Sequence, residues 1–79
     1  MTNTEKLELG QKSSSVYNGR VRKWYPDRAF GFIECEDGED LFCHITKVVG
    51  EQHLHEYSKV EFRKLLTTKG LQASDVKVI

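Results

Sequence analysis

The chain has 79 residues and a mass of 9.1 kDa, with 38% apolar and 30% charged residues. This length allows one hydrophobic core, which excludes a multidomain enzyme, and the composition excludes collagen-like, coiled-coil and low-complexity proteins. Twelve basic and twelve acidic residues cancel, so nucleic-acid binding would have to come from a local surface and not from an overall positive field.

The charges are unevenly distributed along the chain. Residues 1–28 carry six basic and three acidic side chains, residues 29–56 carry one basic and seven acidic, and residues 57–79 carry five basic and two acidic. If strands from the two ends lie side by side, they form one basic face.

Residues 1–18 are polar and rich in Ser, Thr and Asn, which predicts a flexible N-terminal tail before a domain at 19–79. The tail lacks the apolar run of a signal peptide, and no apolar stretch approaches the roughly 20 residues that cross a bilayer. Two cysteines are too few for a disulfide scaffold, so we expect reduced thiols, a cytoplasmic protein and no membrane contact.

From residue 20 onward, apolar residues recur at every second position, which is the period of strands. Strands are predicted at 20–25, 30–35 and 40–45, with a turn at Pro26-Asp27 and a hairpin turn at Asp37-Gly38. A longer loop at 46–57 precedes strands at 60–66 and 71–79, joined by a turn at 67–70. Five short strands without a crossover helix predict an all-β, five-stranded antiparallel barrel.

The alternation gives this barrel two chemically different faces. The aliphatic set is assigned to the core: Val21, Ile33, Leu41, Cys43, Ile45, Val60 and Phe62. If the alternation in the first strand is unbroken, the outward set is Trp24, Phe30, Phe32, Phe42 and His44. Exposed rings of this kind mark a binding surface, and nucleobases fit because each has a π-face. The basic neighbours Arg22, Lys23 and Arg28, together with Arg20, are candidates for phosphate contacts.

The segments Phe30-Gly31-Phe32-Ile33 and Leu41-Phe42-Cys43-His44-Ile45 resemble the two ribonucleoprotein-type motifs of the cold-shock domain family. The resemblance spans residues 19–79. It implies an oligonucleotide-binding (OB) barrel that binds single-stranded RNA or DNA as an RNA chaperone or a regulator of transcription or translation. Carried over by residue, it implies base stacking on Trp24 and on Phe30, Phe32, Phe42 and His44.

Some positions depart from the family pattern. An ungapped match places Lys23 on the family's first-strand Trp and Trp24 on the following Phe; a loop shortened by one residue places Trp24 on the Trp instead. We prefer the ungapped match because it keeps Val21 in the core. Ala29 replaces a usual Gly, which has little cost unless φ is positive. Lys64 stands at an inward position, which suggests a bulge in the fourth strand.

The sequence offers little for catalysis or metal binding. No Cys-x-x-Cys pair exists, and no Ser, Cys or Thr has a recognisable base and orienting partner. We therefore expect a monomeric binding module with no cofactor, no metal and no small-molecule substrate. The alternative is a protein-interaction barrel whose aromatic face receives a peptide or a second copy of the chain.

Overall fold

The structure, a computed structural model, describes residues 10–50 and 54–79. Its elements are β1 (Tyr17–Tyr25), β2 (Phe30–Cys35), β3 (Asp40–His44), a 3-10 turn (Ile45–Lys47), β4 (Lys59–Thr67) and β5 (Gly70–Val78). All five predicted strands are present, and β1 begins three residues before the predicted start at 20. The described residues contain no helix with the length and apolar character needed to cross a membrane.

The strands close into one barrel in the order β1-β2-β3-β5-β4. Four of the five pairings are antiparallel, as predicted; β3 and β5 meet in parallel at the single pair Phe42 and Gln72. The first half of β4 pairs with the start of β1, so the two basic ends of the chain do lie side by side.

The barrel interior is filled by aliphatic residues with one aromatic ring, Phe62. Six of the seven predicted core residues are buried, and Cys35, Leu54, Leu65, Ala73 and Val76 join them. Ile45 is the exception, since 44% of its surface is exposed. The reason is that β3 ends at His44 and a 3-10 turn begins at Ile45, so the alternation does not extend to this residue.

A register shift between Glu61 and Arg63 confirms the predicted bulge in β4. The shift turns Leu65 into the core and leaves Lys64 at the barrel wall. The Lys64 ammonium group lies 4.5 Å from the centre of the Tyr17 ring and 3.2 Å from the Glu39 carboxylate. An inward cation is thereby avoided, because a buried unpaired charge would be strongly destabilising.

Residues 10–16, which we call the N-terminal segment, belong to the predicted flexible tail but run along the second half of β4, past the residues that pair with β1. The Gly10 N–H donates to the Leu66 carbonyl at 2.8 Å, and the Ser13 N–H donates to the Lys64 carbonyl at 2.7 Å. Lys12 also forms an ion pair with Asp75 at 3.1 Å. The described part of the predicted tail is therefore paired with the barrel, and residues 1–9 lie outside the described residues.

Candidate nucleic-acid interface

The hairpin of β2 and β3 separates aliphatic from aromatic side chains by simple alternation. On β2, Ile33 and Cys35 are buried while Phe30 and Phe32 are half-buried on the outer face. On β3, Leu41 and Cys43 are buried while Phe42 and His44 are half-buried outside. The structure therefore brings together four of the predicted stacking residues on one outer surface, which we call the aromatic face.

Strand register arranges the aromatic face in two rows that cross β1, β2 and β3. In the first row, Tyr25 lies opposite Phe30 and Phe30 opposite His44; in the second, Lys23 lies opposite Phe32 and Phe32 opposite Phe42. Directly opposed residues stand roughly 5 Å apart, so each row is a continuous track of side chains. A single strand crossing the sheet would meet one ring after another.

The rings of the aromatic face contact one another. Phe30 and Phe42 stack with their centres 5.3 Å apart and their planes 30° apart, while Phe32 meets Phe42 edge to face at 5.9 Å. Tyr25 lies 5.3 Å from Phe30. These contacts hold the rings in place before a ligand binds. Stacking of a base on them therefore costs little side-chain conformational entropy.

Trp24 is separated from the other rings, contrary to the prediction that groups it with them. The register shift between Val21 and Lys23 is a bulge that reverses the alternation, so Trp24 pairs with Gly31 and packs against the core. A side chain at Gly31 would lie 2.5 Å from the Trp24 ring, which shows that the indole covers the inner side of this glycine. Lys23, opposite Phe32, therefore takes the place on the aromatic face that the ungapped match assigns to it.

Tyr25 was also placed on the wrong face, because an unbroken alternation in β1 puts it on the same side as Val21. The bulge at Arg22 moves it to the aromatic face, where it contacts Phe30. The ungapped match carried part of this signal, because it places Lys23, and not Trp24, on the family's first-strand Trp.

His44 is held in a defined ring orientation at the end of the first row. The backbone N–H of Thr46 donates to Nδ1 at 3.2 Å, and the Thr46 hydroxyl lies 3.0 Å from the same atom. An accepting Nδ1 places the proton of the neutral ring on Nε2. His44 can therefore offer both a flat ring and one N–H donor to a ligand.

The predicted phosphate-binding cations have different surroundings. Arg28 is exposed in the turn before Phe30, and its side chain has no ion-pair partner among residues 10–50 and 54–79. Lys23 is 58% exposed and has Glu56 at 4.0 Å. Arg22 lies between two carboxylates, Glu34 at 3.5 Å and Asp40 at 3.6 Å. Arg22 thus has two carboxylate partners, Lys23 has one at a longer distance, and Arg28 has none among the described residues.

Arg20 lies apart from the aromatic face. It pairs across the strands with Lys59, and both residues line a separate groove of about 550 Å³ with Glu34 and Ile79. The aromatic face therefore has a basic end near Arg28 and an acidic end near Glu34 and Asp40, which favours phosphates at the first end only.

One group of metal-type donors occurs in the described residues, formed by Cys35, Asp37 and Glu39 with ligand atoms within 4.8 Å of one another. The ammonium group of Lys64 lies 3.7 Å from Asp37 and 3.2 Å from Glu39, so these carboxylates already have a cationic partner. Burial also raises the pKa of the Cys35 thiol to about 11, although Lys64 opposes the shift. A thiol that stays protonated at neutral pH is a poor metal ligand, and this group does not favour a metal.

Comparison with known proteins agrees with this geometry. The 'Cold-shock' DNA-binding domain family matches residues 17–79. The major cold shock protein CspA of Pseudomonas aeruginosa is 44% identical over 69 residues, covering 84% of this chain and 99% of that protein. Cold shock protein CspD of Bacillus subtilis is 39% identical over 63 residues, covering 77% of this chain and 96% of that protein.

Among solved structures, Drosophila Unr CSD456 superimposes with a TM-score of 0.70 at 27% identity. The match covers 82% of this chain and 27% of the larger Drosophila chain. The barrel, the two aromatic rows and the family match over residues 17–79 lead to one conclusion: this chain belongs to the cold-shock domain family of nucleic-acid-binding proteins.

Proposed function

We infer that the chain is a binding module, without catalytic activity, for single-stranded RNA or DNA, and that it acts as an RNA chaperone or a regulator of transcription or translation. The observation that carries this proposal is the pair of cross-strand rows in which Tyr25, Phe30 and His44 lie beside Lys23, Phe32 and Phe42. A duplex hides the flat faces of its bases within its own stack, whereas a single strand can place them on these rings.

In this mechanism, bases leave their own stack and restack on Phe30, Phe32, Phe42 and His44, with Tyr25 as a further ring. Each base–ring stack contributes about 1–3 kcal/mol, and ordering of the strand offsets much of the sum. Micromolar to high-nanomolar dissociation constants are expected. Because the bound strand is held open, the population of hairpins and mispaired duplexes falls without any hydrolysis.

The phosphates that accompany these bases are assigned to Lys23 and Arg28. Their exposed positions support this assignment, because Lys23 opens the second row and Arg28 precedes Phe30 in the chain. Two phosphate contacts on a single strand give a log–log dependence of affinity on salt with a slope of about −1.4. Arg22 and Trp24 are left out of the proposed interface because acids engage the first and the core engages the second.

The experiment is an anisotropy titration of a labelled pyrimidine single strand at several salt concentrations, with the matching duplex as control. Binding to the single strand with a shallow negative salt slope supports the proposal. A folded protein that binds neither strand would contradict it and favour the protein-interaction barrel, since docking of an apolar peptide needs no phosphate contact. Sedimentation of the free protein tests the expected monomer in the same samples.

Charge-matched variants locate the phosphate contacts. Lys23→Gln and Arg28→Gln are each expected to make the salt slope shallower by about 0.7. Lys59→Gln removes the same charge from the separate groove and is expected to leave the slope unchanged. Equal effects from all three variants would show that the slope reports net charge and not contacts on the aromatic face.

A further inference from the structure

Tyr57 is the most exposed of the large apolar side chains among the described residues, with 72% of its surface open. Its ring contacts no other aromatic ring in the part of the chain that the structure describes. Single exposed rings are common on protein surfaces, so what distinguishes Tyr57 is its backbone conformation and its position relative to the aromatic face.

The backbone of Tyr57 makes this ring more unusual. Its φ is +73°, a left-handed conformation that glycine and asparagine adopt readily and a bulky side chain rarely does. The local fold therefore favours a small or flexible residue here, and the chain places a large aromatic one. Strain of this kind is found where a side chain is held for binding.

Hydrogen bonds hold the backbone of Tyr57 against β1 at Val21, two residues before Lys23. The Tyr57 N–H donates to the Val21 carbonyl at 2.7 Å, and the Val21 N–H donates to the Ser58 carbonyl at 2.9 Å. Residues 57 and 58 therefore flank β1 on the edge away from β2. The preceding carboxylate, Glu56, lies 4.0 Å from the Lys23 ammonium group, and Lys23 begins the row that continues through Phe32 and Phe42.

We propose that Tyr57 is an additional base-stacking site, which receives a nucleobase of a strand that has crossed β3, β2 and β1. The inference rests on the proposed function, because it extends the same track by one ring past Lys23. A strand just long enough for the rings of β2 and β3 would not reach Tyr57, whereas a longer one would. Tyr57 therefore increases the affinity for longer strands selectively.

The test compares oligothymidylates of about four and about eight nucleotides on the wild type and on Tyr57→Asn, Tyr57→Gly and Tyr57→Phe. Asn and Gly relieve the backbone strain, so both variants fold, and we expect Tyr57→Gly to raise the thermal midpoint by about 2–8 °C. We expect both to bind the longer strand about five-fold or more weakly and the shorter strand as the wild type does. Tyr57→Phe retains the ring and the affinity.

The control is Val16→Asn, which removes another exposed apolar side chain at the last residue of the N-terminal segment and should change neither affinity. Wild-type affinities for both strands in Tyr57→Asn, or an equal loss for both, would overturn the role of Tyr57 and leave the proposed function intact. Failure of the wild type to bind either strand would instead overturn the proposed function, and the Tyr57 site with it.

Discussion

Two small residues, Ala29 and Gly31, flank Phe30 on the aromatic face. They are constrained for different reasons: Ala29 by its backbone conformation and Gly31 by the atoms packed against it. Ala29 has a φ of +61°, with its N–H bonded to the Tyr25 carbonyl and its carbonyl accepting from the Ile45 N–H. Gly31 has an ordinary φ, but its inner side is filled by β1 and Trp24. Position 29 would therefore suit glycine better than the alanine it has, and position 31 has room for glycine alone.

Ala29→Gly is therefore expected to stabilise the protein. The left-handed conformation costs an alanine about 1–2 kcal/mol, which glycine avoids. Glycine also makes the unfolded chain more flexible, which reduces the stabilisation by about 0.4–1 kcal/mol. The free energy of unfolding, measured in urea, should rise by about 0.5–1 kcal/mol. A loss of stability would contradict the left-handed conformation of this residue.

Gly31→Ala is expected to act in the other direction. The new methyl group would meet the carbonyl oxygen of Lys23 and the ring of Trp24, and the backbone oxygen cannot move without disturbing the pairing of β1 with β2. Overpacking of this kind costs about 1–3 kcal/mol. The readouts are urea unfolding and the emission of Trp24, the only tryptophan, which should shift as its ring is displaced. Unchanged stability together with unchanged emission would show that Trp24 does not cover Gly31.

At the scale of the elements, alternation and turn chemistry were sufficient to predict five strands, and the bounds of β2 agree with the prediction. Bulges were harder to predict from the sequence. A bulge can be recognised only where unbroken alternation would put a residue on a face that does not suit it, such as a charged side chain in the core. In β4 the inward position of Lys64 was such a case, and the bulge was predicted. In β1 the residues that exchange faces are Lys23, Trp24 and Tyr25. The two aromatic side chains suit either face, so Lys23 on the face of Val21 was the one trace of this bulge.

The N-terminal segment was not predicted either, because its pairing with β4 uses mainly backbone atoms. In addition to the two backbone bonds above, the Leu66 N–H donates to the Gln11 carbonyl, and Arg63 donates to the carbonyls of Ser13 and Ser14. These bonds depend little on side-chain type, so a polar sequence gives no sign of them. The segment precedes the region that matches the family, residues 17–79.

Removal of residues 1–15 is expected to lower the free energy of unfolding by about 1–3 kcal/mol. Hydrogen bonds worth about 0.5–1.5 kcal/mol each are lost and leave groups of β4 unpaired, and the smaller ordering cost of the shortened chain returns part of that loss. Lys12→Ala is the matched control. It removes only an exposed ion pair with Asp75 and should change stability by less than about 1 kcal/mol. Urea unfolding provides both values. A truncated protein as stable as the wild type would show that the segment does not stabilise β4.

For the molecule as a whole, a net charge of zero is combined with an uneven distribution of cations and carboxylates over the surface. Two of the four predicted cations lie away from the proposed phosphate contacts: Arg22 pairs with two carboxylates, and Arg20 lines a separate groove with Lys59. Sequence alone could identify the rings of the aromatic face, because strand alternation fixes them. It could not decide which cations accompany the rings, since that depends on carboxylates brought close by β2 and β3.

Binding of single strands to the aromatic face is best tested by a two-dimensional NMR titration of the backbone amides with an oligothymidylate of about eight nucleotides. We expect the largest shifts on the two rows, at Tyr25, Phe30 and His44 and at Lys23, Phe32 and Phe42. Amides of the N-terminal segment and of the groove near Lys59 should stay in place. Shifts concentrated on those two regions, or no shifts with a folded protein, would contradict the claim that the aromatic face binds single strands.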